Sequence, residues 1–263
     1  MDIILLSCVF FLWVGHGLSV AQPEKGSDGC GFFLTPQWLD SVKVAVNLTK
    51  SGFHRDLIYT VQFGSPLPED LKALLVQNIS SGVYMDFYQL QTLRKDAGLH
   101  VLLDSEVDLE APAYESSGFT AFIYPQLDPT TPGHLTATVP IHGRYHRPSG
   151  PGTRVKVEIK NTKLLLKSDT CEHGTLPFSN LPHKIVYGPC SVHNISICSW
   201  IEIENLKVPH SLFMDLPVGD KSLLFLVCGG TLCVAILCNL ILTATIWKHG
   251  IFKFSLTSLW SCP

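Results

Sequence analysis

The segment from Leu223 to Trp247, LLFLVCGGTLCVAILCNLILTATIW, carries no charged side chain, and it limits the folds open to this chain more than any other feature. As a helix rising about 1.5 Å per residue it reaches roughly 37 Å, enough to cross a hydrocarbon core of about 30 Å with some tilt. We read residues 223–247 as one transmembrane helix. The competing origin, a helix buried in a soluble core, is usually shorter. Asp220 and Lys221 precede the span, whereas Lys248, His249 and Lys253 follow it. Basic residues gather on the cytosolic side, so residues 248–263 form a cytosolic tail and the rest lies across the membrane from it.

The N-terminal end agrees with this orientation. Residues 3–18 are apolar with little interruption and stop at Ser19-Val20-Ala21, a small-x-small cleavage triplet, just before Gln22-Pro23-Glu24-Lys25. Residues 1–21 therefore read as a cleaved signal peptide. An uncleaved anchor is the alternative, because Asp2 stands where a signal peptide usually carries Lys or Arg. Either way residues 22–222 are exoplasmic, as in a type I single-pass protein, and about 200 residues can bury a core of their own. The chain holds 19 Lys and Arg against 22 Asp and Glu, a net charge of −3, which gives nucleic acid no basic surface.

The nine cysteines sort by compartment. Cys8 falls in the signal, Cys228, Cys233 and Cys238 in the span, and Cys262 in the tail. Cys30, Cys171, Cys190 and Cys198 remain outside. In an oxidising compartment this even set forms disulfides in one of three connectivities. A Cys190–Cys198 bond would close a short loop, and Cys30–Cys171 would tie the start of the domain to its last third. Zinc is the competing use, but neither C-x-x-C nor paired Cys/His spacing is present. Three N-x-S/T sequons, at Asn47, Asn78 and Asn194, all lie in 22–222 and mark N-glycosylation sites of a secretory-pathway domain.

Along residues 38–46, Val42, Val44 and Val46 alternate with Lys43 and Ala45, the period of a half-buried strand. Residues 53–63 repeat it, with Phe53, Leu57, Tyr59, Val61 and Phe63 on one face. The Lys50-Ser51-Gly52 turn between the two runs makes them a hairpin. Gln89 to Ala97 has helical composition, and Gly98 stops it. Further short runs follow at 71–76, 83–88, 101–103, 119–124, 135–142, 154–159, 163–166, 184–187, 201–206 and 212–218, separated by Pro/Gly/Ser clusters. Many short strands and one short helix predict an all-β sandwich-like lumenal domain ahead of the span.

The densest polar cluster is PIHGRYHRP at 140–148. On a strand, period two puts His142, Arg144 and His146 on one face. An arginine between two histidines repels a cation, so the cluster reads as a surface for a protein partner or for its own sheet rather than a metal site. Asp104, Glu106, Asp108 and Glu110 also alternate, which would align four carboxylates on one strand face in the manner of a cation-dependent transferase. The simpler origin is a solvated edge strand. With no G-x-S-x-G, H-E-x-x-H, Walker loop or dinucleotide fingerprint, the sequence offers no catalytic set and asks for no cofactor. Inside the span, Cys228, Ala235, Asn239 and Thr243 form a small and polar stripe, suited either to a neighbouring helix or to bonding with its own backbone.

At specific positions the chain resembles the PIG-X family. The matching pieces are GFHRDL at 52–57, GVYMD at 82–86 with Tyr88 and Leu90, EAP at 110–112 with Tyr114, and PIHGRYHRP at 140–148, whose RYHRP is the distinctive part. GPC at 188–190, ICSW at 197–200, Val218-Gly219 and the single span also fit, so the resemblance runs from about residue 51 to 248. It implies a non-catalytic subunit of the mannosyltransferase that adds the first mannose to the glycosylphosphatidylinositol (GPI) precursor, held in the endoplasmic reticulum membrane. There it would bind and stabilise a polytopic catalytic subunit, PIG-M. His142, Arg144, Tyr145, His146, Arg147 and Asn239 are the expected partner-binding residues. A cell-surface adhesion or receptor-type glycoprotein is the competing expectation, since it would share the leader, sugars, disulfides and sandwich.

Overall fold

The computed structural model describes residues 36–64, 70–168, 184–204 and 212–249; residues 1–21, expected to be a signal peptide, Cys30, Cys171 and residues 250–263 lie outside them. A short helix α1 (Pro36–Ser41) leads into β1 (Lys43–Thr49) and β2 (His54–Gln62). These two strands pair antiparallel in the register expected of a hairpin, Val44 opposite Val61 and Val46 opposite Tyr59. Val42, Val44, Val46, Leu57, Tyr59 and Val61 are all buried, as their alternation foretold. Lys50 takes φ 62° and Gly52 φ 79° in the turn. The Lys50 ammonium pairs with Asp56 at 2.7 Å.

After β3 (Leu71–Ile79) and the two-residue β4 (Val83–Tyr84) comes helix α2 (Phe87–Asp96). It starts two residues earlier than composition suggests, because the Asp86 carboxylate accepts from the Tyr88 and Gln89 amides at 2.8 and 3.3 Å and caps the first turn. Gly98, at φ 65°, ends it as expected. The remaining strands are β5 (His100–Leu103), β6 (Phe119–Tyr124), β7 (Gln126–Leu127), β8 (His134–Gly143), β9 (Arg154–Ile159), β10 (Lys163–Ser168), β11 (Lys184–Pro189), β12 (Ile197–Glu202) and β13 (Leu212–Pro217).

The strands make one sheet in the order β1-β2-β8-β4, with β7 also on β8, a six-stranded sheet β11-β12-β10-β3-β6-β5, and a ribbon of β13 with β9. Leu57, Tyr59 and Val61 of β2 stand beside Val139, Ala137 and Leu135 of β8 and share a single buried cluster with Leu75, Ala121, Ile123, Leu164, Leu166 and Ile201 of the second sheet. The β-rich domain is thus the expected sandwich of two packed sheets. The second sheet also buries part of its outer face, where Leu74, Leu165 and Trp200 cluster.

Two expectations are corrected. Residues 104–110 are not a strand: β5 ends at Leu103, and the Asp104 carboxylate accepts from the Thr120 amide at 2.9 Å while Asp108 accepts from those of Glu110 and Ala111. These carboxylates organise turns instead of lining one face. The strand placed at 201–206 is instead β12 at Ile197–Glu202, and residues 205–206 lie outside the described part.

The Cys190–Cys198 disulfide is present and closes the β11–β12 hairpin, whose Cα atoms at the bond lie 5.0 Å apart. By the loop-entropy account, Cys190→Ser with Cys198→Ser costs about 2–3 kcal/mol. The thermal midpoint of the purified variant should drop accordingly; an unchanged midpoint would show that the hairpin needs no covalent closure.

Helix α3 (Leu224–His249) follows a 3-10 turn at Lys221–Leu223. It is long and apolar enough to cross a membrane and has none of its surface buried against the domain. Its polar side chains turn inward to their own backbone: the Asn239 amide donates to the Ala235 carbonyl at 3.0 Å and the Thr243 hydroxyl to that of Asn239 at 2.8 Å. The Asn239 side chain thus places one of its N–H donors on its own helix and keeps its carbonyl oxygen for another partner.

Candidate functional site

The RYHRP segment leaves the sandwich at the end of β8, and two glycines determine how. A Cβ on Gly143 would meet both Leu216 Cδ atoms at 2.7 Å and Met214 Cε at 3.1 Å, and one on Gly82 would meet the Val157 methyls at 2.8 and 2.9 Å. Only glycine lets the β9–β13 ribbon close against β4 and β8 at this depth. The chain is then held from several sides. The Gly143 amide donates to the Phe53 carbonyl (2.7 Å), the Arg144 amide to that of Gly82 (2.9 Å), and the Tyr145 carbonyl accepts from the Ala113 amide (3.0 Å).

Register explains the first aromatic row. His142 stands opposite His54 on β2 and opposite Tyr84 on β4, so the three rings share the outer face of the first sheet. His142 stacks on Tyr84 with centroids 5.0 Å apart and meets the His54 ring edge-on at 4.7 Å. Its Nε2 lies 2.8 Å from Gln89 Oε1 of α2.

From Arg144 onward, buried and exposed side chains alternate. Arg144 is only 3% exposed; its guanidinium lies 4.9 Å from the Tyr84 centroid and donates through Nη1 to the Ala111 carbonyl at 2.6 Å. Tyr145 is exposed and packs on Phe53 at 5.2 Å. His146 is half-buried beside Gly82, and exposed Arg147 lies over the Tyr114 ring at 4.4 Å. The expected common face of His142, Arg144 and His146 is therefore only partly realised: the first two share Tyr84, and His146 turns toward Gly82.

Buried Arg144 has no carboxylate within ion-pair distance among the described residues. His142 Nδ1, Arg144 Nε and His146 Nε2 are buried without a hydrogen-bond partner there. Burial, with the His54 charge second, pushes the His142 pKa below the ordinary imidazole value, and burial alone does the same to His146. The unfolded chain thus takes up protons that the folded one refuses. These sites contribute fully above the unfolded value of about 6.5, and the contribution is lost as pH falls through it. The thermal midpoint should fall between about pH 7.5 and about pH 5.5, and His142→Gln should flatten that decline. An identical slope in the variant would mean that the acid sensitivity lies elsewhere.

The sequence singled out the RYHRP residues but missed the support around them. Phe53, Tyr84 and Tyr114 belong to three distant segments, and each lies in one of the short motifs GFHRDL, GVYMD and EAP with its following Tyr114, so motif membership was the signal available. It also missed a cleft of about 700 Å³ between α2 and β5, lined by exposed Phe87 and Tyr88 together with Gln91, Arg94, Leu103 and Glu106. The sequons are placed at the surface: Asn47, Asn78 and Asn194 are all exposed.

Comparison with known proteins gives a consistent result. A family model described as PIG-X / PBN1 matches residues 50–247. A human protein named "GPI alpha-1,4-mannosyltransferase I, stabilizing subunit" is 33% identical over 208 residues, which cover 78% of this chain and 79% of the human one. Proteins of the same name from rat and mouse are each 31% identical over 208 residues, covering 78% of this chain and 81% and 80% of theirs. Among solved structures, a type II cohesin domain from the cellulosome of Acetivibrio cellulolyticus aligns at TM-score 0.25 and 8% identity over 66% of this chain and 95% of that one, too distant to carry an argument.

Proposed function

This chain belongs to the PIG-X / PBN1 family, and from that membership we propose that it binds and stabilises the polytopic catalytic subunit, PIG-M, of the enzyme that adds the first mannose to the GPI precursor. It acts as an accessory subunit and not as a catalyst, as the name of its relatives states of them. The observation that carries the reading is convergence: rings from separate family motifs gather on the RYHRP segment, Tyr84 against buried Arg144, Phe53 against Tyr145 and Tyr114 under Arg147. Pieces scattered through the sequence gather where the domain reaches its membrane helix.

In this arrangement Tyr145, with Phe87 and Tyr88 of the neighbouring cleft, faces the catalytic subunit, and His142, Arg144 and His146 hold that face from behind. Arg147 stands at its membrane-side margin. Asn239 is placed to exchange its bond to Ala235 for one to a neighbouring span. The β-rich domain lies in the lumen of the endoplasmic reticulum, with sugars on Asn47, Asn78 and Asn194, and the helix C-terminus in the cytosol.

The deciding experiment is depletion of this chain with a tagged catalytic subunit as readout. The catalytic subunit's steady-state level should fall severalfold and recover on re-expression. An unchanged level, with the two chains failing to co-purify in mild detergent, would overturn the assignment. In the same cells the sugars should stay sensitive to endoglycosidase H, whereas resistant glycans would indicate delivery to the cell surface.

A further inference from the structure

Between the sandwich and α3 the chain is bonded to the loop that follows RYHRP. Ser149 and Asp220 form a parallel bridge. The Ser149 amide donates to the Gly219 carbonyl (2.9 Å), the Lys221 amide to that of Ser149 (2.8 Å), and the Val218 amide to that of Thr153 (3.1 Å). Pro148 lies against Gly219, 3.8 Å from where a Cβ would stand. The turn is closed on itself by the Thr153 hydroxyl, which donates to the Gly150 carbonyl at 2.6 Å. Residues 148–153 are thereby fixed beside the last residues before the helix, and Pro148 to Pro151 form a shallow hollow with Asp220, Lys221 and Ser222.

Depth follows from that attachment. Asp220 is separated from the first apolar side chain, Leu223, by a single 3-10 turn, which rises about 2 Å per residue and so about 6 Å in all. The polar headgroup layer adds about 5–7 Å on each side of the hydrocarbon core. Residues 147–151, exposed without exception, therefore stand level with the headgroups once α3 is in a bilayer.

The chemistry at that level suits phosphate. Arg147 and Lys221 are exposed cations. Arg147 is held over Tyr114, itself half exposed, in the amphipathic pairing common where protein meets headgroups. The neighbouring carboxylate, Asp220, accepts from the Ser222 amide and hydroxyl at 2.8 and 2.7 Å.

We propose that the Arg147–Pro151 loop, with Tyr114 and Lys221, is a foot that rests on the bilayer and binds phospholipid headgroup phosphates, setting the tilt of the β-rich domain over the membrane. It rests on α3 crossing that bilayer. Two classes of macromolecule could meet such a loop, and lipid is favoured over protein by the bonds that hold it at headgroup depth.

The test uses the full chain co-expressed with its catalytic partner in microsomes, with a benzophenone amino acid introduced at one position at a time. Position 151 probes the foot, Leu226 the span, and Thr130, exposed beyond the opposite end of β8, serves as the distant reference. Irradiation should give phospholipid adducts at 151 and 226 and none at 130. R147E with K221E should lower the adduct at 151 severalfold and leave that at 226 unaltered. A protein adduct at 151, no adduct there while 226 still labels, or insensitivity to both charge reversals would overturn the proposal. Absence of lipid adduct at 226 would instead remove the span beneath it.

Discussion

Trp200→Ala should destabilise the β-rich domain by about 3–5 kcal/mol, the largest effect expected of any single truncation here. Trp200 is fully buried, yet it sits on the outer face of the six-stranded sheet, where it clusters with Leu74 and Leu165, and Val76, Phe122, Tyr124, Val186 and Cys198 pack around that cluster. Removing it empties the centre of this second apolar cluster and loosens β12, which carries one half of the Cys190–Cys198 bond. Its indole N–H has no hydrogen-bond partner among the described residues. Trp200→Phe, which keeps an aromatic ring and forfeits no bond but leaves part of the indole's volume empty, should cost about 1–2 kcal/mol. Chemical denaturation of the three proteins in detergent checks both values. Equal losses for Ala and Phe would mean that the indole matters through its nitrogen and not its bulk.

Arg144→Ala should cost about 2–5 kcal/mol. A hydrogen bond to a charged group contributes about 1.5–3 kcal/mol, and the stack on an aromatic ring about 0.5–2. Both are lost together, leaving the Ala111 carbonyl without its donor and the Tyr84 ring without its cation. Arg144→Lys retains the charge but not the planar fork, and it should recover less than half of the loss. Hydrogen exchange at the Ala113 amide, which donates to Tyr145, reports the loosening directly, and the amount of catalytic subunit recovered on co-purification should fall in the same order: native, Lys, Ala. Faster exchange with undiminished recovery would separate the scaffold from the interface and place the contact away from RYHRP.

How far the sequence revealed this arrangement depended on the range of the interaction. The span, the alternation of Val42, Val44 and Val46, and the stop at Gly98 were legible because each is decided by neighbours within a few residues. The acidic stretch misled for an equally local reason. Asp104, Glu106, Asp108 and Glu110 have the spacing of a strand, but Asp104 and Asp108 are aspartates, whose short side chains capture nearby amides and bend the chain. Within RYHRP the alternation was visible, but that it puts Arg144 inside and Tyr145 outside was not, because the cover comes from Gly82, Tyr84 and Ala111. Gly143 marks no turn, and the Ser80–Val83 turn that contains Gly82 does not account for the close approach at its Cα. Their reason is the ribbon formed by Val157, Met214 and Leu216, residues with no local pattern pointing back to them.

That ribbon bears on how the protein is made. β13 is the last strand of the domain, and it closes against Gly143 only six residues before α3 begins. During synthesis from the N-terminus, the sheets can form while the nascent chain is still being extended, but the ribbon cannot be sealed until the segment next to the membrane helix has left the ribosome. Completion of the fold thus waits on the residues that adjoin the apolar helix, and the face built around Arg144 first takes its final shape only when synthesis is almost finished.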